Sequence, residues 1–583
     1  MKFNRGLALA ALLPALALSG AASSRPEASG PIFTVRMDAP GNQSAKGRLI
    51  ILAQPATPDQ VKALAEPATT QDQADHRAQD IVAAGADNVD FDPSPSSGSA
   101  AAARAGVTLA PGQSVTVDAD DIAYPAFSKL PPGPYLVQAV LDTHGKFAYD
   151  QALEGGDLVS DVVAVTLPVT HATLSLKTRQ PDPLYQFDAP PPAQRPPAPG
   201  HDAAWLKQAQ AAYDAAQITK PHTERAYFRS KLLTDFWKAP TDIRAYILTP
   251  PGYDRDKSAR YPVAFETEGF GATFGGNFTK VQRFYAEMAS GVTPPMIWVF
   301  LDHAGPTGTH EFADSANNGP WGQALTTEFI PWLDAKYRTD GTPSGRFTTG
   351  HSSGGWSSLW LQVAYPKLFG GAWPTSPDPV DFHDFTNIDL YAPRANAYTL
   401  PNGKPTELVR SRFHPATFEQ YAKAERVLGP VGGQISSFDW VFSPRGPDGK
   451  PAALFDPKTG IIDPEVAAYW IDHYDIAAKI KREWPVVKPD LDGKIHYWVG
   501  TLDTYYLDGP AHRLKAVLDG LGARSEFHFI DGADHGTVMF DGPDHHAVEH
   551  TIAWQMYITA RPGTKRPPVR SGPEGKSRSP ADE

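Results

Sequence analysis

With 583 residues, 41% of them hydrophobic, the chain carries more apolar material than one core needs, so two or three domains are the expectation. A formal net charge of -12 argues against nucleic-acid binding, which draws on a basic surface to displace counterions. The lack of cysteine excludes a thiol nucleophile, a disulfide framework and cysteine-ligated metal.

The chain opens with Lys2 and Arg5 ahead of an apolar run from Leu7 to Leu18, then the small residues Ser19, Gly20, Ala21 and Ala22. This is the pattern of a secretory signal peptide over 1–22. Interrupted by Pro14, the run is too short to span a bilayer, and lipoprotein attachment would require a cysteine. The expectation is a mature protein exported to the periplasm or beyond the cell, without stable membrane insertion.

From 23 to 179 strand signals dominate. Ile32 to Val35, Gly47 to Leu52, Ser114 to Val117, Tyr135 to Val140 and Val162 to Leu167 are rich in β-branched residues and separated by turns such as Pro131-Pro132-Gly133. They predict an N-terminal β-sandwich domain without a catalytic cluster of its own. The Ser/Ala/Gly-rich stretch from Ser94 to Gly106 reads as a loop. Prolines between Gln180 and Gly200 favour extended backbone and mark a linker, with a lead-in helix, over 180–225.

Beyond it, short apolar runs alternate with helical stretches: Ile243 to Leu248, Pro262 to Phe265, Met296 to Leu301, Ile495 to Val499 and Glu526 to Ile530. Such alternation predicts an α/β domain over 226–560, with the Met296–Leu301 run as a central parallel strand. Leu325, Phe329, Trp332 and Leu333 share one helical face, and Pro331 among them predicts a kink or break. The alternation fades over about 376–489, an insertion expected to cap the site. The Pro, Gly, Lys and Arg-rich end, 561–583, reads as a disordered, solvated tail.

The stretch around which the rest is arranged is Arg346 to Pro366. A short strand meets Gly350-His351-Ser352-Ser353-Gly354, a G-x-S-x-G pattern, and Trp356, Leu359, Trp360 and Val363 then follow at helical spacing. Strand, tight turn and helix together describe a nucleophile elbow, with Ser352 exposed at a helix N-terminus and the Ser353 N–H beside it to bind an oxyanion. A serine hydroxyl needs an imidazole to take its proton and a carboxylate to fix that imidazole. In this topology they follow in the order acid, then histidine. Asp503 stands just past the strand Ile495 to Val499, and His535 lies in the loop after Glu526 to Ile530. Asp508 is the alternative acid. A second oxyanion N–H is expected from Phe270 or Gly271, in the glycine-containing loop after Pro262 to Glu266. Trp321, His351, Trp356 and Tyr505 are candidates to line the substrate pocket, with core packing the plainer role for the tryptophans. His545, His546 and His550 lack the H-E-x-x-H pattern and an evident third ligand, so no metal site is assigned.

These motifs resemble the bacterial putative-esterase family of α/β-hydrolases, which holds esterase D, feruloyl esterases and enterochelin esterases. The resemblance rests on Thr249 to Tyr253, Asp314-Ser315 through Trp321-Gly322 into Glu328 to Trp332, Tyr337-Arg338, the elbow, Gly500 to Asp503, and Asp534-His535-Gly536. It implies the α/β-hydrolase fold, hydrolysis of small-molecule or glycan-linked carboxylic esters without a cofactor, and Ser352, Asp503 and His535 in the three roles. One departure stands out: Glu268-Gly269 replaces the His-Gly of many relatives, which would disfavour anionic substrates unless the carboxylate faces away. Two other functions are open to the same residues. One is acyl transfer from the same acyl-enzyme; the other is an inert protein whose β-domain binds glycan or envelope.

Overall fold

A computed structural model describes residues 30–65, 89, 91–182, 185–194, 203–412, 414–542 and 544–567. The signal-like segment and most of the basic tail lie outside the described residues.

The N-terminal strands form one nine-stranded sheet, eight of them along a single hydrogen-bonded path with Val163–Leu167 paired off it to Gly133–Asp142. Alternation along them builds two apolar faces. Leu49, Ile51 and Ala53 of strand Ala45–Pro55 join Phe33, Val35, Val137 and Leu174 in an inner core. Ile50 and Leu52 point the other way, toward Ala424, Val427 and Leu428 of the later insertion. The stretch expected to be a loop is a correction: Ala100–Leu109 is a strand paired with Ala45–Pro55. Its four consecutive alanines are almost wholly buried, and small side chains suit a strand packed on both faces. The proline-rich stretch is also more than a spacer. Phe187 packs edge-on against Phe278 and beside Tyr246, at ring separations of 4.9 and 5.8 Å, tying the segment to the α/β core.

The second sheet has eight strands, ordered Thr223–Arg229, Asp242–Leu248, Ile297–Leu301, Val263–Thr267, Arg346–His351, Gly371–Thr375, His496–Gly500 and Glu526–Ile530. The first three pair antiparallel and the others parallel. Every residue of Ile297–Leu301 and Val263–Thr267 is buried, as a strand covered on both faces requires. Before Pro331 the helical hydrogen bonding changes register. It loosens into a π turn over Leu325–Phe329, and Pro331 falls in the first turn of Ile330–Lys336, where its missing N–H costs least.

The insertion contributes the helices Phe418–Leu428, Gln434–Phe442 and Pro464–Tyr474. It is no loose flap: Phe382, Phe442 and Trp470 share one core with Trp356 and Trp360 of the elbow helix Ser353–Ala364. No helix among the described residues is long and apolar enough to cross a membrane.

Candidate active site

At the elbow the strand Arg346–His351 turns into the helix Ser353–Ala364 through Ser352, whose φ of 55° and ψ of -125° lie in the left-handed half of backbone space. A non-glycine residue holds such a conformation only where its surroundings over-determine it. Here the flanking glycines allow it. A Cβ at Gly350 would come within 2.4 Å of the Gly354 carbonyl oxygen, and one at Gly354 within 1.9 Å of the Thr267 carbonyl oxygen. Three backbone segments cross where no side chain fits. Ser352 is buried from bulk solvent but opens onto a cavity of about 380 Å³ that His351, Gly269, Phe270, Gly271, Tyr505 and His535 also line.

The acid and the imidazole meet as the motif order predicts. His535 Nδ1 lies 2.8 Å from Asp503 Oδ2. Asp503 is fully buried and also accepts the Tyr505 N–H at 2.9 Å. Burial pushes its carboxyl up, but the bond and the charge of His535, with the Tyr505 N–H, outweigh burial and hold it below the usual carboxylate range. Asp508 does not reach the imidazole; it pairs with Arg410 at 3.1 Å. The same guanidinium donates to the Asp503 carbonyl at 2.9 Å, so the insertion pins the loop that carries the acid.

The loop after Val263–Thr267 passes directly over the serine: a Cβ at Gly269 would sit 3.1 Å from Ser352 Cβ. The Gly269 carbonyl is fixed from behind by His303 Nε2 at 3.2 Å, while Thr309 Oγ1 lies 2.8 Å from Nδ1. Because a carbonyl only accepts, Nε2 carries the proton and Nδ1 accepts from threonine. Burial lowers His303 to about 4, so the ring stays neutral in this role. Glu268 faces away from the cavity and pairs with Lys280 at 2.6 Å. The departure from His-Gly is thus absorbed by an ion-pair cluster that includes Glu266 and Glu549.

No local motif points to two buried carboxyls behind the elbow. Asp378, on the loop after Gly371–Thr375, accepts from Ser353 Oγ at 2.7 Å, and the Ser352 hydroxyl faces the same carboxyl. Burial raises Asp378 to about 6 against these hydrogen bonds and the charge of His535. Among the described residues no hydrogen bond joins the Ser352 hydroxyl to His535. Glu311 is fully buried, and burial with the charge of Asp378 raises it well above the usual range. Only topology brings these residues to the elbow, and no local spacing announces them.

Of the expected pocket residues, His351 and Tyr505 line the cavity and touch the imidazole, with ring separations from His535 of 4.5 and 4.9 Å. Burial lowers His351 to about 3. Trp321 and Trp356 are corrections. Trp321 stacks on His310 at 3.6 Å and is buried away from the cavity. Trp356 stacks on Trp360 at 5.1 Å in the core shared with the insertion. Helical spacing gave Trp356 the inward face of its helix, and that face is covered by the insertion rather than by substrate. Ser353 does not line the cavity with its side chain; its backbone N–H opens the elbow helix. His546 pairs with Glu549 at 3.0 Å, His550 with Glu287 at 3.2 Å, and His545 packs on Phe540.

Residues 238–424 match the family model described as Putative esterase, a span that holds the Glu268–Gly271 loop and the elbow but stops short of Asp503 and His535. No curated protein matches the chain. Among solved structures it is similar to a ferulic acid esterase at 15% identity, covering 58% of this chain and 98% of that one with a TM-score of 0.35. It is similar to the fluorophosphonate-binding serine hydrolase F of Staphylococcus aureus at 11% identity, covering 58% and 98% with a TM-score of 0.33. An S-formylglutathione hydrolase from Agrobacterium tumefaciens aligns at 13% identity over 58% and 94%, with a TM-score of 0.33. The resemblance first read from the motifs is to the putative-esterase family, and the family match carries it across the segment from Lys238 to Ala424.

Proposed function

We propose that this chain is an exported serine esterase of the α/β-hydrolase fold, acting on carboxylic esters through an acyl-enzyme on Ser352. The observation that carries the reading is that the His535–Asp503 pair and the strained Ser352 open onto one cavity. In the reaction the Ser352 hydroxyl comes within reach of His535, which takes its proton as Oγ attacks the ester carbonyl. Buried Asp503 holds the imidazole tautomer and stabilises the imidazolium. The tetrahedral oxyanion is met by the N–H of Ser353 and an N–H of the Phe270–Gly271 segment. His535 then returns the proton to the leaving alcohol, and water completes hydrolysis by the same relay. No cofactor enters this chemistry.

In this reading the chain divides into a signal peptide over 1–22, the β unit over 23–179, a linker and lead-in helix over 180–225, and the catalytic domain over 226–560. The insertion over about 376–489 walls the site. Substrates are small-molecule or glycan-linked esters. Replacing Ser352 with alanine should reduce p-nitrophenyl acetate hydrolysis to background while the melting temperature holds. Full hydrolysis by Ser352→Ala would overturn the reading, and an expressed chain retained in the cytoplasm with residues 1–22 uncleaved would overturn the export assignment.

A further inference from the structure

One wall of the cavity is built by the N-terminal β unit. The helical turn Phe147–Asp150 follows the strand Gly133–Asp142 and is braced by Asp142, which accepts the N–H groups of His144 at 3.0 Å and Gly145 at 2.7 Å. The turn ends at Gln151 with φ 54°, and Tyr149, Asp150 and Gln151 all line the cavity. Tyr149 is buried. Its ring packs on Phe270 at 4.7 Å and its hydroxyl donates to the Ala272 carbonyl at 3.4 Å.

The other side of this turn is fastened to the insertion. Ala148 shares a core with Ala424 and Leu428, and a Cβ at Gly429 would come within 3.0 Å of Ala148 Cβ. Arg48, from the β unit, donates from Nε to the Val427 carbonyl at 2.9 Å and from Nη2 to the Arg426 carbonyl at 3.1 Å, where the helix Phe418–Leu428 ends. Cations at that end satisfy orphan carbonyls and complement the helix dipole. Tyr149 is therefore wedged between a fixed scaffold and the loop over Ser352. That loop is gripped on its far side by His303 at Gly269, while at Phe270 the Tyr149 ring is its partner.

We propose that Tyr149 is a positioning residue for the oxyanion loop, so that the N-terminal β unit is a working part of the active site rather than an appended module. The inference rests on the esterase reading above. The ring, not the hydroxyl, supplies most of the hold: a long hydrogen bond to a loop carbonyl is weak, whereas the aromatic face sets where the Phe270 and Gly271 amides stand. An oxyanion donor displaced by about an ångström forfeits much of its effect while leaving ground-state binding nearly intact.

The test uses the full chain carrying Tyr149→Phe, Tyr149→Leu or Tyr149→Ala. It reads kcat and KM on p-nitrophenyl acetate, inhibition by phenylboronic acid as a tetrahedral mimic, and the rate of labelling by a fluorophosphonate. Tyr149→Phe should stay within about threefold of the parent on every readout. Tyr149→Ala should lose about ten- to a hundredfold in kcat with KM within about threefold, and boronate affinity should fall in step. Tyr149→Leu keeps apolar volume, guards against a folding failure in the alanine variant, and should fall between the two. An unchanged kcat in both Leu and Ala variants, a loss confined to KM, or a Tyr149→Phe as impaired as Tyr149→Ala would overturn the proposal. If the parent hydrolyses no ester, the esterase reading fails on its own. The positioning claim is then judged by labelling, which Tyr149→Ala must slow about tenfold or more.

Discussion

The Asp503→Asn variant probes the relay most sharply because asparagine preserves the shape of the site while reversing one hydrogen bond. The amide oxygen keeps the Tyr505 N–H, now at 2.9 Å from Asp503 Oδ1, and the amide nitrogen comes to face His535 Nδ1, now 2.8 Å from Oδ2. Two donors cannot face each other, so the imidazole must carry its proton on Nε2, the atom required to accept from Ser352. The transition state also loses the carboxylate that faces the imidazolium. With Asp503 fully buried, an effective dielectric of about 20 makes that attraction about 4 kcal/mol for charges about 4 Å apart, or about a thousandfold in rate. We expect kcat for p-nitrophenyl acetate to fall about 10³-fold or more, with KM within about threefold, in stopped-time assays at pH 7.5. Asp508→Asn, which only weakens the tie to Arg410, should cost under tenfold. A loss under tenfold in Asp503→Asn would refute the assignment of the acid.

Three further outcomes follow from the geometry. Gly354→Ala places a methyl within 1.9 Å of the Thr267 carbonyl oxygen, so it should destabilise by about 3 kcal/mol or more and lower the melting temperature; an unchanged Tm contradicts the crossing described at the elbow. His303 titrates at about 4 in the fold against 6.5 unfolded, so the unfolded chain binds the extra proton and stability falls as pH drops through that window. This term is complete above about pH 6.5 and amounts to about 3 kcal/mol; the Tm difference between pH 7 and pH 4.5 should shrink in His303→Gln, and an equal difference would deny the buried neutral ring. Finally, Asp150 and Glu425 line the cavity while, among the described residues, no lysine or arginine does, and burial raises Glu425 to about 7. The p-nitrophenyl hemisuccinate should therefore be about tenfold poorer in kcat/KM than the butyrate at pH 8.5, less so at pH 6, and Glu425→Gln should narrow the gap; equal values at both pH would exclude this field.

Much of the α/β sheet was legible because its strands announce themselves: Ile297–Leu301 is an apolar run, Val263–Phe265 opens another strand, and the elbow is a local motif. The candidate acid and base were legible for a related reason, since strand ends gather at one edge of an open sheet. What eluded the sequence is non-local. Ala100–Leu109 is composed like a loop and becomes a strand only because its alanines fit between two packed faces. Trp356 has the spacing of a helix face, but spacing does not reveal whether substrate or the insertion covers that face. Asp378, His303 and Tyr149 each reach the serine or its loop from a different segment, and only the tertiary fold brings them there.

The central claim is that Ser352 is a nucleophile activated by His535, and covalent capture tests it most directly. The purified chain should be treated with a fluorophosphonate, digested, and the adduct located by mass spectrometry. The account predicts a single modified residue, Ser352, with labelling abolished in Ser352→Ala and slowed about 10³-fold or more in His535→Ala. An unreactive protein, an adduct on another serine, or labelling indifferent to His535 would contradict it.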